Sequence, residues 1–293
     1  VTAQQEAWFT SALAAPASDE SVAVDGARIS YRAWGDRGMP GAVLVHGTAA
    51  HARWWDHIAP FLEADGLRVA ALSISGHGDS DWRDRYSFDQ WAAEVMAVAS
   101  SAGISGPPFV IGHSLGGHIA LHAAGRYGDA LAGIVVIDSP MFEGPPPPEV
   151  SASARGMGAQ RTYASREAIL DRFRLIPEHP VLPYAREHVA ACSVVRQDNG
   201  EWRWKFDQGL FTRMTPRPVS SSGAERGKCR AAVLRAQQGI MTREMSSRLR
   251  ARLGQGVPVV EVPGGHHVLL DEPLSLMTAL RAVLACWTAE GSG

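Results

Sequence analysis

Gly112-His113-Ser114-Leu115-Gly116 sets a serine between glycines, where an apolar run (PPFVIGHS, 107–114) meets a helical one (LGGHIALHAAGRYG, 115–128). A serine held in a sharp strand-to-helix turn has its hydroxyl lifted clear of the backbone. The glycines belong there because neighbouring Cβ atoms would clash. The helix that starts at this point adds a dipole that favours developing negative charge. Such a hydroxyl attacks a carbonyl only if a base takes its proton, and the base needs an acid to orient it. The chain offers eleven histidines as bases. IVVIDSPMFE (134–143) offers a carboxylate, Asp138, at the end of an apolar run. Alone, that segment reads equally well as a strand end reaching the surface or as the site of a catalytic aspartate.

The elements that would position these groups alternate. VAVDGARISYRAW (22–34) reads as a hairpin around a D-G turn. Apolar strands GAVLVHG (41–47), LRVAALSISG (67–76), PPFVIGHS and LAGIVVID (131–138) are separated by helical spacing at 51–66, 87–103 and 115–128. Ser87 is the expected N-cap of the second of these helices and Gly103 its C-terminal stop. Strands apolar throughout and alternating with helices predict a parallel sheet covered on both faces, an α/β class. The rhythm breaks over 139–225, which holds a four-proline run, two helix-like segments and a tryptophan-rich EWRWKFD. It resumes with CRAAVLRAQQG (229–239), a helix, VPVVEVPGG (257–265) and a last helix from Pro273. The expected organisation is a core of 1–138 and 226–293 with a mostly helical cap of 139–225.

GHSLGG at 112–117, VHG at 45–47, SGHGDS at 75–80 and GGHHVLLDEP at 264–273 resemble, in order and spacing, the α/β-hydrolase superfamily. The likeness is to its serine-nucleophile branch with a helical cap, and it covers nearly the whole chain outside the cap. It implies an eight-stranded, mostly parallel sheet with the cap inserted after strand 6. It also implies Ser114 as nucleophile and, from the G-H-x(6)-P spacing to Pro273, His266 rather than His267 as base. The oxyanion hole would use the backbone N–H groups of Leu115 and Thr48, with Ala49 as alternative to Thr48. His46, His77 and His113 are structural residues in these motifs, and His51, His57, His118 and His122 fit helix faces. The acid of most members follows the seventh strand, yet AQQGIMT (236–242) has no carboxylate. Some members carry it after the sixth strand instead, which selects Asp138 over Glu143 and Glu244. Trp54, Trp55, Met141, Phe142 and Trp204 are candidate pocket residues, with Trp202 and Phe206 nearby. The implied reaction is cleavage of a small-molecule carboxylic ester through an acyl-enzyme, without cofactor or metal. Lactonase, thioesterase, amidase, C–C hydrolase and perhydrolase chemistry remain alternatives on the same triad, as does a non-catalytic ligand-binding role. Serine at 114 argues against dehalogenase or epoxide hydrolase chemistry.

Composition narrows the classes further. The net charge of −2 is spread without a basic stripe, which speaks against nucleic-acid binding. No apolar run approaches the roughly 20 residues of a membrane span. The first twenty residues lack the basic start and unbroken apolar stretch of a signal peptide. The three cysteines are widely spaced with no C-x-x-C, which speaks against a disulfide framework or a zinc site. These features predict a cytoplasmic protein, monomer or homodimer.

Overall fold

Four five-residue runs, β3 (Gly41–Val45), β4 (Arg68–Leu72), β5 (Phe109–His113) and β6 (Gly133–Ile137), are buried at every position. A strand can be buried on both faces only if helices cover both, and the side chains divide accordingly. Ala42, Leu44, Val135 and Ile137 join one apolar cluster, while Val43, Val45, Ile134 and Val136 join the other. The computed structural model, which describes residues 3–142, 160–215 and 229–289, completes the sheet with four more strands. These are β1 (Ser18–Val24), β2 (Ala27–Trp34), β10 (Arg230–Gln238) and β11 (Val259–Gly265).

The eight strands lie in the order β1-β2-β4-β3-β5-β6-β10-β11, and only the pairings of β2 are antiparallel. This is the α/β-hydrolase fold. The β1–β2 hairpin turns on Asp25 and Gly26, both at positive φ, as a two-residue turn matched to the strand twist demands. One face is covered by α1 (Ala3–Leu13), α2 (Ala59–Glu63) and the long C-terminal α10 (Pro273–Ala289). The other is covered by α3 (Phe88–Ser101), α4 (Leu115–Tyr127) and α8 (Arg243–Leu253). Ser87 caps α3 as expected, accepting from the Gln90 N–H. The single helix expected over 51–66 is instead a 3-10 turn, Ala52–Trp55, followed by α2, with Pro60 in the first turn of the second piece. No described helix is long and apolar enough to cross a membrane.

Chain order reverses between β3 and β5: β3 leads outward to β4, and β5 returns to its other side. Ligands of open α/β sheets bind at the carboxyl ends of the strands on either side of such a reversal. The described part of the segment between β6 and β10 lies over that end. Its described helices are α5 (Arg166–Leu170), α6 (Pro183–Cys192) and α7 (Leu210–Arg213). It also carries a three-stranded antiparallel sheet of β7 (Thr162–Tyr163), β9 (Trp202–Trp204) and β8 (Val194–Arg196). EWRWKFD therefore holds a strand that the sequence reading had not anticipated. Phe173, Leu175, Ala185 and Val189 bury themselves in the same cluster as the core helices, fixing the segment to the sheet.

Candidate active site

β5 ends in the turn that carries Ser114, whose backbone sits at φ 53, ψ −115, a conformation L-residues avoid. Packing enforces it. A Cβ on Gly112 would strike the backbone of Gly116, and one on Gly116 would strike the Val45 carbonyl of the adjoining strand. The Ser114 N–H donates to the Ile137 carbonyl at 2.9 Å, which ties the turn to the end of β6. The next residue of β6 is Asp138, also at positive φ and fully buried.

His266 joins the two. Its Nδ1 lies 2.7 Å from Asp138 Oδ2 and its Nε2 3.1 Å from Ser114 Oγ. Three residues separated by up to 152 positions thus form one chain of hydrogen bonds, and Ser114 alone is half-buried, open to an incoming molecule. An imidazole between a hydroxyl and a buried carboxylate can take a proton from the first while the second stabilises the resulting cation.

The Asp138 carboxylate is held by the end of β10 and the loop after it. It accepts from Ile240 N–H at 2.9 Å and from Ala236 and Met241 N–H at 3.3 Å each. Such donors offset the cost of burying the carboxylate. A Cβ at Gly239 would fall on the carboxylate itself. AQQGIMT lacks an acid because the space its side chain would fill is occupied from β6. The sequence showed only the missing carboxylate; the donor N–H groups left no signal in it. Glu244 is exposed in the first turn of α8, and Glu143 lies outside the described residues.

The base loop is pinned on both sides. His113 Nε2 donates to the His266 carbonyl at 2.7 Å. Asp271 Oδ2 accepts from the Gly265 N–H at 2.5 Å and from His179 at 3.1 Å. His267 turns away, with Nε2 3.1 Å from the Pro177 carbonyl and its pKa lowered to about 3 by burial first, then by the neighbouring His266 and His179. His46 has its pKa lowered to about 4 by burial, so it is neutral. It donates from Nδ1 to the Gly47 carbonyl and accepts at Nε2 from the Ile74 N–H, clamping the loop after β3 to the end of β4. His77 packs on it with ring centroids 4.9 Å apart.

Thr48 is half-buried, Ala49 adopts φ 58, and a Cβ on the preceding Gly47 would lie 3.2 Å from the Ser114 Cβ. Leu115 opens α4, so its N–H has no acceptor within the helix. Among the candidate pocket residues, Trp204 lines a cavity of about 340 Å³ that also meets Ala49, Ala50 and Phe206. Trp54 and Trp55 are instead buried in the core cluster, Trp55 completely, and neither lines that cavity. Their place in the 3-10 turn under the insertion explains the difference: the turn rotates both rings inward. Met141 and Phe142 are half-buried after β6, and Trp202 pairs with Tyr163 across the small sheet; none of the three lines the cavity. His51, expected on a helix face, lies in the loop before the 3-10 turn and does line it. Among the described residues no group of three or more His, Cys, Asp or Glu is arranged to hold a metal ion.

Known proteins resemble this chain in sequence and fold. Esterase Rv0045c of Mycobacterium tuberculosis is 29% identical over 272 residues, 89% of this chain and 88% of its own. Its solved structure superposes with a TM-score of 0.74 over 97% of this chain and 98% of that one, at 23% identity. Monoacylglycerol lipase of Mycolicibacterium smegmatis is 34% identical over 120 residues, 39% of this chain and 43% of its own. The model of the alpha/beta hydrolase family matches residues 42–279, a span that takes in the Ser114 turn, Asp138 and the His266 loop, and the chain belongs to that family.

Proposed function

We propose that the protein is a serine hydrolase that cleaves carboxylic esters of small molecules through an acyl-enzyme. The observation that carries this reading is the two-sided placement of His266, 2.7 Å from the Asp138 carboxylate and 3.1 Å from the Ser114 hydroxyl. Esterase and lipase relatives support the bond class.

Ser114 Oγ attacks the ester carbonyl as His266 Nε2 takes its proton. Asp138 holds the Nδ1–H tautomer and stabilises the imidazolium. The Leu115 and Thr48 N–H groups receive the oxyanion, the first at the start of α4 where the helix dipole assists. The imidazolium then protonates the leaving alkoxide, giving an alcohol and the Ser114 ester. Water, deprotonated by His266, attacks that ester and releases the acid and free enzyme. Residues 139–225 serve as the cap that shapes the entrance, and 1–138 with 226–293 as the catalytic core.

A fluorophosphonate probe tests the reading together with p-nitrophenyl esters of graded chain length. One adduct on Ser114, abolished in Ser114→Ala along with ester turnover, is the expected result. Folded protein that neither forms the adduct nor turns over any ester would mark a ligand-binding member of the family instead.

A further inference from the structure

The 340 Å³ cavity under the insertion has an unbalanced lining. Its walls include Tyr163, Phe173, Trp204 and Phe206, which suit an apolar body. Its charged lining residues are Arg161, Arg172, Arg174 and Lys205, with no aspartate or glutamate among them, on a chain whose net charge is −2.

The four cations are not equivalent. Lys205 is neutralised by Asp79 at 2.6 Å. Among the described residues Arg174 bonds only to main-chain carbonyls, those of Asp171 and Phe173 at 2.9 and 2.8 Å, and no carboxylate there pairs with it. The guanidinium groups of Arg161 and Arg172 have no partner among the described residues. Arg32, Arg83 and Arg235, by contrast, are matched with Asp56, Glu94 and Glu261. His51 adds no charge, because burial above all keeps its pKa well below the ordinary value. Its Nε2 donates to Ser193 Oγ at 2.9 Å, since that hydroxyl gives its own proton to the Val189 carbonyl.

The cavity lies beside the chemistry. Ala49 and Ala50 are part of its lining, and Gly47 of the same loop lies against Ser114. Two Cα spacings, about 7.6 Å at most, separate Gly47 from Ala49. A carbonyl at Ser114 can therefore belong to a molecule whose other end lies among the arginines.

We propose that the preferred substrates are carboxylic esters bearing an anionic group, a carboxylate or a phosphate, that Arg161, Arg172 and Arg174 of the cavity lining receive. This rests on the ester-hydrolase reading above and adds the substrate class. Planar guanidinium groups with no counter-ion among the described residues suit bidentate binding of such oxyanions, and the aromatic walls remove the linking chain from water.

The test compares mono-p-nitrophenyl glutarate with its neutral methyl ester. The expected result is a kcat/KM ratio of about 10 or more in favour of the anion, falling towards one in Arg161→Gln/Arg172→Gln/Arg174→Gln and with rising salt. A Ser114-dependent hydrolysis that prefers the neutral ester, or a preference unmoved in the triple variant, overturns the proposal and leaves the ester-hydrolase reading standing. Calorimetric titration with hexanoate, hexyl phosphate and hexanol is read without any turnover. Tighter binding of either anion than of hexanol, lost in the triple variant, supports the proposal, and the tighter of the two names the oxyanion. Equal binding of all three overturns it, whether or not any ester is cleaved.

Discussion

At the scale of single residues, the acid decides how the site is read. Asp138 meets His266 and three main-chain N–H groups, one near the end of β10 and two in the loop after it. In Asp138→Asn the amide can no longer enforce the Nδ1–H tautomer, and kcat is expected to fall by about 10³–10⁴-fold with the fold retained. Circular dichroism beside p-nitrophenyl ester kinetics checks both halves; near wild-type turnover would remove Asp138 from the mechanism. Because a Gly239 side chain and the Asp138 carboxylate would compete for one space, the acid should be transferable. Gly239 lies outside the left-handed region, so an aspartate there meets no backbone penalty. Asp138→Gly/Gly239→Asp is expected to recover at least about tenfold of the kcat lost in Asp138→Gly, a modest share of a triad acid's contribution. No recovery in a folded double variant would mean that the geometry of β6, and not merely a carboxylate in that space, is required. Asp138 was legible only through what AQQGIMT lacks, whereas Ser114 was legible directly, because its strained turn demands glycines that show in the sequence.

At the scale of elements, the insertion is fastened over the sheet by a polar latch. Tyr86 donates its phenol to Asp207 Oδ2 at 2.6 Å, and Asp207 also binds Arg213 and accepts from the Gly209 N–H at 2.9 Å. Main-chain bonds run alongside, from Asp207 N–H to the Gly76 carbonyl and between residue 86 and residues 213 and 215. Burial, and then the Asp207 hydrogen bond, push the Tyr86 phenol above its ordinary range, so it is a donor at any working pH. Tyr86→Phe leaves Asp207 with one partner fewer and is expected to cost about 1–2 kcal/mol in urea unfolding. A change within error would show the main-chain bonds to be sufficient. The hairpin at Asp25-Gly26 and the capped α3 were legible because their determinants are local. β9 was not, because three residues become a strand only by pairing with β7, some forty positions earlier, and with β8. The break of 51–66 into two pieces was equally hidden, although Pro60 marked where the second could begin. Trp55 reads as well for a pocket as for a core until the turn that carries it is placed.

At the scale of the whole molecule, the histidines tie stability to pH. His46 and His57 have pKa values lowered to about 4 and His267 to about 3, in each case by burial first. His51, His77 and His113 are lowered well below the ordinary value for the same leading reason. All six are neutral in the fold and become free to bind a proton near pH 6.5 once the chain unfolds. Between that value and the folded pKa the unfolded chain carries more protons, so stability falls as pH falls, by up to about 1.4 kcal/mol per pH unit for each histidine. From pH 7 to pH 5 His46, His57 and His267 each contribute a loss of about 2 kcal/mol, against a total stability on the order of 5–15 kcal/mol, and the other three act in the same direction. Glu94 works in the opposite sense, because burial raises its pKa above the unfolded value of 4.5, but it is one group against six. The urea midpoint is therefore expected to drop steeply between pH 6.5 and 5, well before carboxylates titrate. His57→Gln should flatten that dependence by about one proton, whatever the substitution does to stability at pH 7. The Gln side chain can still reach for the Leu269 carbonyl that His57 Nε2 meets at 2.7 Å, and it cannot take up a proton on unfolding. A midpoint that stays flat from pH 7 to 5 would mean that these rings find protons, or water, inside the folded protein.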